Sequence, residues 1–171
     1  MPIVRATDSA KKDGMDLKGL TRGEAVAGGA AIALIIISVI PLWGSVSFEG
    51  TEEGTFGLWD GGVFGNLPKF AAFLELATLV LILLKATGAM RSIPTVTYLA
   101  LGLTATLLML MGVAVGPGIG GGGLSGIEET RGPLLYAGAV LSAVTLFGGW
   151  LHLRGEDTDG FGNRSAAPPP M

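Results

Sequence analysis

Four long apolar stretches separated by short polar segments dominate the pattern of this chain. They cover approximately residues 25–43, 69–88, 95–115 and 133–153. A transmembrane helix needs about 20 mainly apolar residues at a rise of about 1.5 Å per residue, and each stretch is long enough. The pattern therefore predicts an all-α integral membrane protein built on a four-helix transmembrane bundle, residues 25–153.

The composition indicates the same class of protein. Hydrophobic residues make up 49% and charged residues only 15% of the 171 residues, with a mean hydropathy of +0.59. Because so few charges accompany this apolar content, the excess must face lipid. Residues 1–24 are interpreted as a cytoplasmic polar tail and residues 154–171 as a disordered cytoplasmic tail, which leaves little chain for an extramembrane catalytic domain.

The first apolar stretch has an alternative interpretation as a secretory signal peptide. Ser45, Val46 and Ser47 give a small-x-small cleavage pattern just after it. A long tail with acids as well as bases precedes the stretch, however, and three further spans follow. Both features favour a retained first span.

The segments between spans predict little regular structure outside the membrane. In residues 44–68 there are four acids and no lysine or arginine. Val46 and Phe48 alternate with small polar residues, GTEEG can form a turn, and Thr55 to Trp59 can return as a strand, which predicts a small extracytoplasmic β-hairpin. The segment GPGIGGGGLSGIEETRG is interpreted as a flexible loop, and its GxGxxG spacing is rejected as a nucleotide motif because no strand precedes it.

Basic residues set the predicted orientation. One side of the predicted topology carries Arg5, Lys11, Lys12, Lys18, Arg22, Lys85, Arg91, Arg154 and Arg164, and the other side carries Lys69 and Arg131. Because cytoplasmic segments are enriched in lysine and arginine, we expect a multi-pass protein of the cell membrane with both termini in the cytoplasm.

The start of the chain resembles a family. LTRGE (Leu20 to Glu24), followed by a glycine- and alanine-rich helix that ends in PLW (Pro41 to Trp43), is similar to the start of a set of uncharacterised small actinobacterial membrane proteins with four spans. An aromatic loop, a KATG turn and a Gly/Pro loop extend the similarity over most of the chain. The resemblance implies a topology and an envelope location, and no activity.

A second resemblance lies in the first outer loop. Trp43, followed by Gly57, Leu58 and Trp59, resembles the W…GLW signature of claudin-type four-helix proteins, in which this loop folds as a small sheet. The two cysteines that normally follow GLW are absent from this chain. The resemblance therefore implies a similar architecture and does not extend to a junction or channel function.

Glu75 is the candidate for chemistry inside the membrane. It lies within the second span between apolar neighbours, and an ionised carboxylate there costs several kcal/mol unless it is paired, hydrated or protonated. Tyr136, Thr106 and Lys69 are the predicted partners at similar depth. The carboxyl group either forms a structural hydrogen bond across the bundle or binds a proton or cation.

Two further sets of residues are expected to make contacts. Small-xxx-small pairs, Gly29 with Ala33 and Gly138 with Ser142, allow helices to approach closely within the bundle or along an oligomer seam, and internal packing is the favoured use. The residues expected to present the outer loop to a partner are Trp43, Phe56, Leu58, Trp59 and Asp60.

Several classes of site lack support in the sequence. The chain has no cysteine and one histidine, so we predict no metal site and no cofactor. The acids Glu52, Glu53 and Asp60 have no EF-hand spacing, and a solvated acidic loop is the favoured interpretation of them over a Ca²⁺ site. The charge of −3 argues against nucleic acid as a partner.

The sequence therefore favours a non-catalytic envelope protein, an accessory or scaffolding subunit that acts through its outer loop and helix surfaces. Its expected partners are the lipid bilayer and another membrane protein or further copies of itself. The alternative is a small oligomeric transporter or channel in which Glu75 binds a proton or cation. An enzyme of lipid metabolism is a third hypothesis, and it requires Tyr98, His152 and Arg154 to converge.

Overall fold

The computed structural model describes residues 20–48, 51–60, 66–90, 93–115 and 127–154. The elements in chain order are α1 (Arg22–Ser38), β1 (Gly44–Phe48), β2 (Thr51–Phe56), α2 (Asn66–Ala86), α3 (Thr95–Val115), β3 (Ile127–Arg131) and α4 (Pro133–Arg154). Apart from their few residues nearest the bundle, the two predicted tails lie outside the described residues.

The helices of the described chain form one bundle. α1 packs against α2 and α4, and α3 packs against the same two helices, whereas α2 and α4 touch each other at few positions. Helices that follow one another along the chain are therefore neighbours, as expected for short connections. The prediction of a mainly helical fold with four helices is confirmed.

Three of the described helices are long and apolar enough to cross a membrane. They are Leu67–Ala86, Thr95–Val115 and Pro133–Arg154, with 20, 21 and 22 residues. Only 33% of the most apolar window of each helix is buried inside the protein. The remaining apolar surface faces outward, which is typical of helices solvated by lipid tails.

The first apolar stretch, residues 25–43, is helical only as far as Ser38. α1 begins with a capping box, in which the Thr21 hydroxyl accepts from the Glu24 N–H and the Glu24 carboxylate accepts from the Thr21 N–H. It has 17 residues and ends at Ser38. Pro41 follows at a position where proline commonly terminates a helix, and Trp43 turns back so that its Nε1 donates to the Ile37 carbonyl at 3.0 Å.

The predicted hairpin is part of a three-stranded antiparallel sheet with the order β2-β1-β3. The second strand lies earlier in the chain than the predicted residues 55–59. β2 begins at Thr51, inside the GTEEG segment that was expected to form the turn. An irregularity between Val46 and Ser47 shifts the register of the β1–β2 pair. β3 was not predicted at all, since it lies at the end of the glycine-rich segment interpreted as a loop.

Main-chain hydrogen bonds attach the sheet to the bundle. The Gly132 N–H donates to the Trp43 carbonyl at 2.9 Å, and the Leu134 N–H donates to the Leu42 carbonyl at 3.3 Å. A Cβ atom at Gly132 would overlap the main chain at Leu42 and Trp43, so only glycine allows this crossing. The sheet therefore closes the end of the bundle at which α1 and α3 end and α2 and α4 begin.

Candidate functional site

Glu75 lies near the middle of the bundle. It is the tenth of the 21 residues of α2, about 14 Å along the helix from Asn66. Its side chain is completely buried, with 0% exposure. The predicted span begins at Lys69, which places Glu75 nearer the outer boundary, whereas the helix begins about one turn earlier, at Asn66.

The hydrogen-bond partner of Glu75 belongs to the diagonally opposite helix. Thr145 Oγ1 of α4 donates to Glu75 Oε2 at 2.8 Å. Ser142, one turn earlier on α4 and also fully buried, faces the same carboxyl group without a hydrogen bond of normal geometry. Among the described residues, Glu75 Oε1 and Ser142 Oγ have no hydrogen-bond partner. We call Glu75, Ser142 and Thr145 the Glu75 cluster.

The structure does not join the predicted partners to Glu75. Tyr136 is 49% exposed on the outside of α4, and the Thr106 hydroxyl donates to the Gly102 carbonyl of its own helix at 2.7 Å. Within the described ranges no cationic side chain forms an ion pair with Glu75. The predicted intramembrane carboxyl group is thus buried as expected, but its partner is Thr145.

Apolar side chains lie on both sides of the Glu75 cluster along the bundle. Towards the sheet, Ala71 and Ala72 of α2 belong to a core that also contains Leu34 and Met109. Towards the other end, Ile82 of α2 packs with Ala27, Ile93 and Tyr98. In this apolar surrounding the carboxyl group can be held in its neutral form. Its hydrogen bond to Thr145 is costly to break there.

A second polar group lies at the end of the bundle opposite the sheet, and we call it the Glu24 cluster. Lys85 Nζ of α2 donates to Glu24 Oε1 of α1, and His152 Nε2 of α4 lies 3.9 Å from the same oxygen. His152 Nδ1 forms a hydrogen bond of 3.1 Å with the Thr21 hydroxyl. The Tyr98 ring of α3 packs edge-on against His152 at 5.4 Å. The Glu24 carboxylate therefore connects the ends of α1, α2 and α4, and Tyr98 attaches α3 through its contact with His152.

Glu24 lies in the first turn of α1, outside the three long apolar helices. Burial alone raises the pKa of its carboxyl group, but the hydrogen bonds from Lys85 and the Thr21 N–H, with the charges of Lys85 and His152, leave the pKa below its ordinary value of 4.5. Glu24 is therefore ionised at neutral pH. The Tyr98 hydroxyl is buried and faces Glu24, and it has no hydrogen-bond partner of normal geometry in the described part of the chain.

The residues expected to present the outer loop fall into two groups. Trp43 is only 2% exposed, and Leu58 is buried with it in the core. The ring of Phe56 covers Gly44 on the neighbouring strand, leaving no room for a side chain there. The assignment of Trp43 and Leu58 to an interaction surface was therefore wrong, because the chain folds both residues under the sheet.

Trp59 and Asp60 remain at the surface. Trp59 is 45% exposed and meets the Phe73 ring of α2 edge-on at 5.5 Å. Asp60 Oδ2 accepts a hydrogen bond of 2.9 Å from the Gly57 N–H, which fixes the turn after β2. Glu49 and the side chains of Glu52 and Glu53, the other acids of this loop, lie outside the described residues.

The two small-residue pairs have different surroundings. Gly138 faces the Trp43 ring, which a Cβ atom would approach to 2.9 Å, and Ser142 is buried, so this pair packs inside the bundle as expected. Gly29 is exposed and a Cβ atom there would meet nothing within 4 Å, while Ala33 is half-buried. Internal packing was therefore the wrong use for Gly29.

These features define a helical protein with three helices that can cross a membrane, a small sheet at one end, and two buried polar clusters. Comparison of the chain with protein-family models finds no match, and neither does comparison with curated proteins.

Proposed function

We propose that the protein is a non-catalytic accessory or scaffolding subunit of the cell envelope. In this proposal it crosses the membrane four times, with both termini in the cytoplasm, and presents its sheet to another membrane protein. The three long helices supply three crossings. The fourth is residues 25–43, which consist of α1 after Glu24 and the apolar residues that follow it.

The position of α1 supports the fourth crossing. Its first turn contacts the last turns of α2 and α4 through Glu24, and the residues after its last turn are bonded to the start of α4 through Leu42. α1 therefore extends from one end of the bundle to the other. Among its exposed side chains, Ile32 and Ile36 are as apolar as those of the longer helices.

The observation that carries the proposal is the fixed sheet. β1 pairs with β2 from the first connection and with β3 from the last, and main-chain bonds hold this sheet to the bundle. A surface held rigid before binding loses little conformational entropy when a partner docks. Within the described ranges β2 and β3 each pair on one side only, and such edges can accept a strand from a partner.

Native mass spectrometry of the protein extracted from its own membrane in mild detergent tests this proposal. We expect a stoichiometric complex with a different membrane protein. Trp59→Ala, which removes an exposed aromatic ring beside the sheet, is expected to weaken that complex, whereas Leu83→Ala, which removes an exposed apolar side chain near the opposite end of the bundle, is the control. Recovery of only a monomer or a closed homo-oligomer would contradict the proposal.

A second candidate function is favoured by the Glu75 cluster. Two buried polar atoms, Glu75 Oε1 and Ser142 Oγ, have no hydrogen-bond partner among the described residues, and unpaired buried polar groups are rare without a functional reason. A small oligomeric transporter or channel that binds a proton or cation at Glu75 is therefore the alternative.

The alternative is tested by flux into liposomes that contain the purified protein. Glu75→Gln removes the ionisable group and keeps the shape, and Thr145→Val removes the hydrogen bond and keeps the carboxyl group. If Glu75→Gln abolishes flux while Thr145→Val retains it, and Glu75→Gln is as stable as wild type, the accessory role would be overturned. If wild-type protein shows no flux and both variants only lower stability, Glu75 is structural.

A further inference from the structure

An apolar groove of about 390 Å³ opens on the outside of the bundle between α3 and α4. Its walls are the side chains of Leu99, Ala143, Leu146, Phe147 and Trp150. Every one of these residues is predominantly hydrocarbon. The groove runs from Ala143 to Trp150 along α4, which is about 10 Å at the helical rise.

The floor of the groove is rigid because the two helices touch there through their main chains. A Cβ atom at Gly102 would lie 2.7 Å from the Leu146 Cα, and one at Gly149 would lie 2.7 Å from the Leu99 N. Small residues at a helix crossing allow the two backbones to approach closely, and the larger side chains then project on either side of the contact. The groove is therefore a fixed feature of the α3–α4 contact.

A cation and two aromatic rings lie at one end of this groove. The Arg154 guanidinium is exposed and lies 4.3 Å from the centre of the Trp150 ring, and Phe147 stacks on Trp150 at 5.6 Å. Arg154 is the last residue of α4, at the same end of the bundle as the Glu24 cluster. Tryptophan and arginine at a helix end are typical of the level of lipid headgroups.

We propose that this groove binds an anionic phospholipid. One acyl chain lies along Leu99, Leu146 and Phe147, and the phosphate pairs with Arg154 above the Trp150 ring. The occupant follows from complementarity, because a hydrocarbon wall that ends in an exposed cation matches an acyl chain that ends in an anion. This lipid site does not depend on the accessory or transport role of the protein.

Lipid retention measured by native mass spectrometry tests the proposal. The full-length protein, stripped of lipid in detergent, is offered equal amounts of phosphatidylglycerol and phosphatidylcholine with the same acyl chains. We expect wild type to retain one phosphatidylglycerol in preference. Arg154→Gln should reduce that preference about fivefold, while Arg22→Gln, which removes an exposed arginine at the same end, should leave it unchanged.

A second pair of variants tests the apolar part. Ala143→Phe fills the groove and is expected to abolish retention of both lipids, whereas Ala77→Phe adds the same ring to an exposed position on α2 and is the control. The preference is a ratio within one sample, so it is readable even in a less stable variant. No preference in wild type, equal loss in both arginine variants, or a peptide in place of lipid would overturn the proposal.

Discussion

At the scale of single residues, Trp43 connects three parts of the molecule. Its Nε1 donates to the end of α1, its carbonyl accepts from Gly132 before α4, and its ring packs on Gly138. Because the ring is buried and its N–H has a main-chain partner, this residue has both an apolar and a polar contribution to stability.

We predict that Trp43→Ala lowers the free energy of unfolding by about 3–5 kcal/mol, the range typical of removing a buried aromatic side chain. The cavity cannot close easily, since Gly138 has no side chain with which to fill it. Reversible unfolding in detergent micelles, followed by helical circular dichroism as the denaturing detergent is increased, measures the change.

Trp59→Ala is the control for Trp43→Ala, because the same residue type is removed from a half-exposed position beside the same sheet. We expect this variant to lose about 1 kcal/mol, mainly from the contact with Phe73. Equal losses in the two variants would contradict the view that Trp43 is a core residue.

Glu75 shows how far sequence reasoning reached at this scale. A lone carboxyl group in an apolar stretch indicates a buried position, since exposing it to lipid is energetically costly. Its partner, Thr145, carries no comparable signal, because a threonine in a membrane helix commonly bonds to its own main chain. Only the packing of α2 diagonally across from α4 brings the two together.

At the scale of elements, apolar stretches predicted the four helices but not where α1 ends. Hydropathy is the same for an apolar residue in a helix and in the turn after it, so the apolar pattern extends the predicted helix over Ile40 and Leu42. β3 lacks alternating apolar residues, and its partner β1 is about 80 residues away in the sequence. Neither the strand nor its pairing is visible locally.

The Glu24 cluster joins elements that the sequence shows only as separate charges. We predict that Lys85→Met destabilises the protein on the order of 2 kcal/mol, because Glu24 is left buried without its main counter-charge. The loss is smaller than for a fully buried pair, since 23% of the Lys85 side chain is exposed. The same unfolding measurement in micelles gives the value.

The double variant Glu24→Gln with Lys85→Met separates pairing from packing. If the ion pair stabilises the packing of α1 on α2, the double variant should lose less free energy of unfolding than the sum of the losses in Glu24→Gln and Lys85→Met. Arg22→Met removes an exposed base from the same end and should change stability little. Additive losses would show that Lys85 contributes only through its hydrocarbon stem.

At the scale of the whole molecule, the bundle has two distinct ends. The sheet covers one end, and the Glu24 cluster joins the helix termini at the other. α1 enters and α4 leaves at the end with the Glu24 cluster, so both ends of the described chain lie on the same side. The positive-inside bias, applied to the basic residues of the sequence, is the reason that we propose a cytoplasmic location for that side.

The absence of cysteine allows this orientation to be tested with single thiols. Thr51→Cys places an exposed thiol on β2, and Thr87→Cys places one just after α2, at the opposite end. We predict that a maleimide that cannot cross the membrane labels Thr51→Cys in intact cells and labels Thr87→Cys only after the cells are opened.

Both sites are exposed threonines, and α2 lies between them in the chain. Unmodified protein is the control for background labelling. The reverse pattern would place the sheet in the cytoplasm and contradict the charge argument. Labelling of both sites in intact cells would mean that α2 does not cross the membrane, and the proposed four-span topology would be wrong.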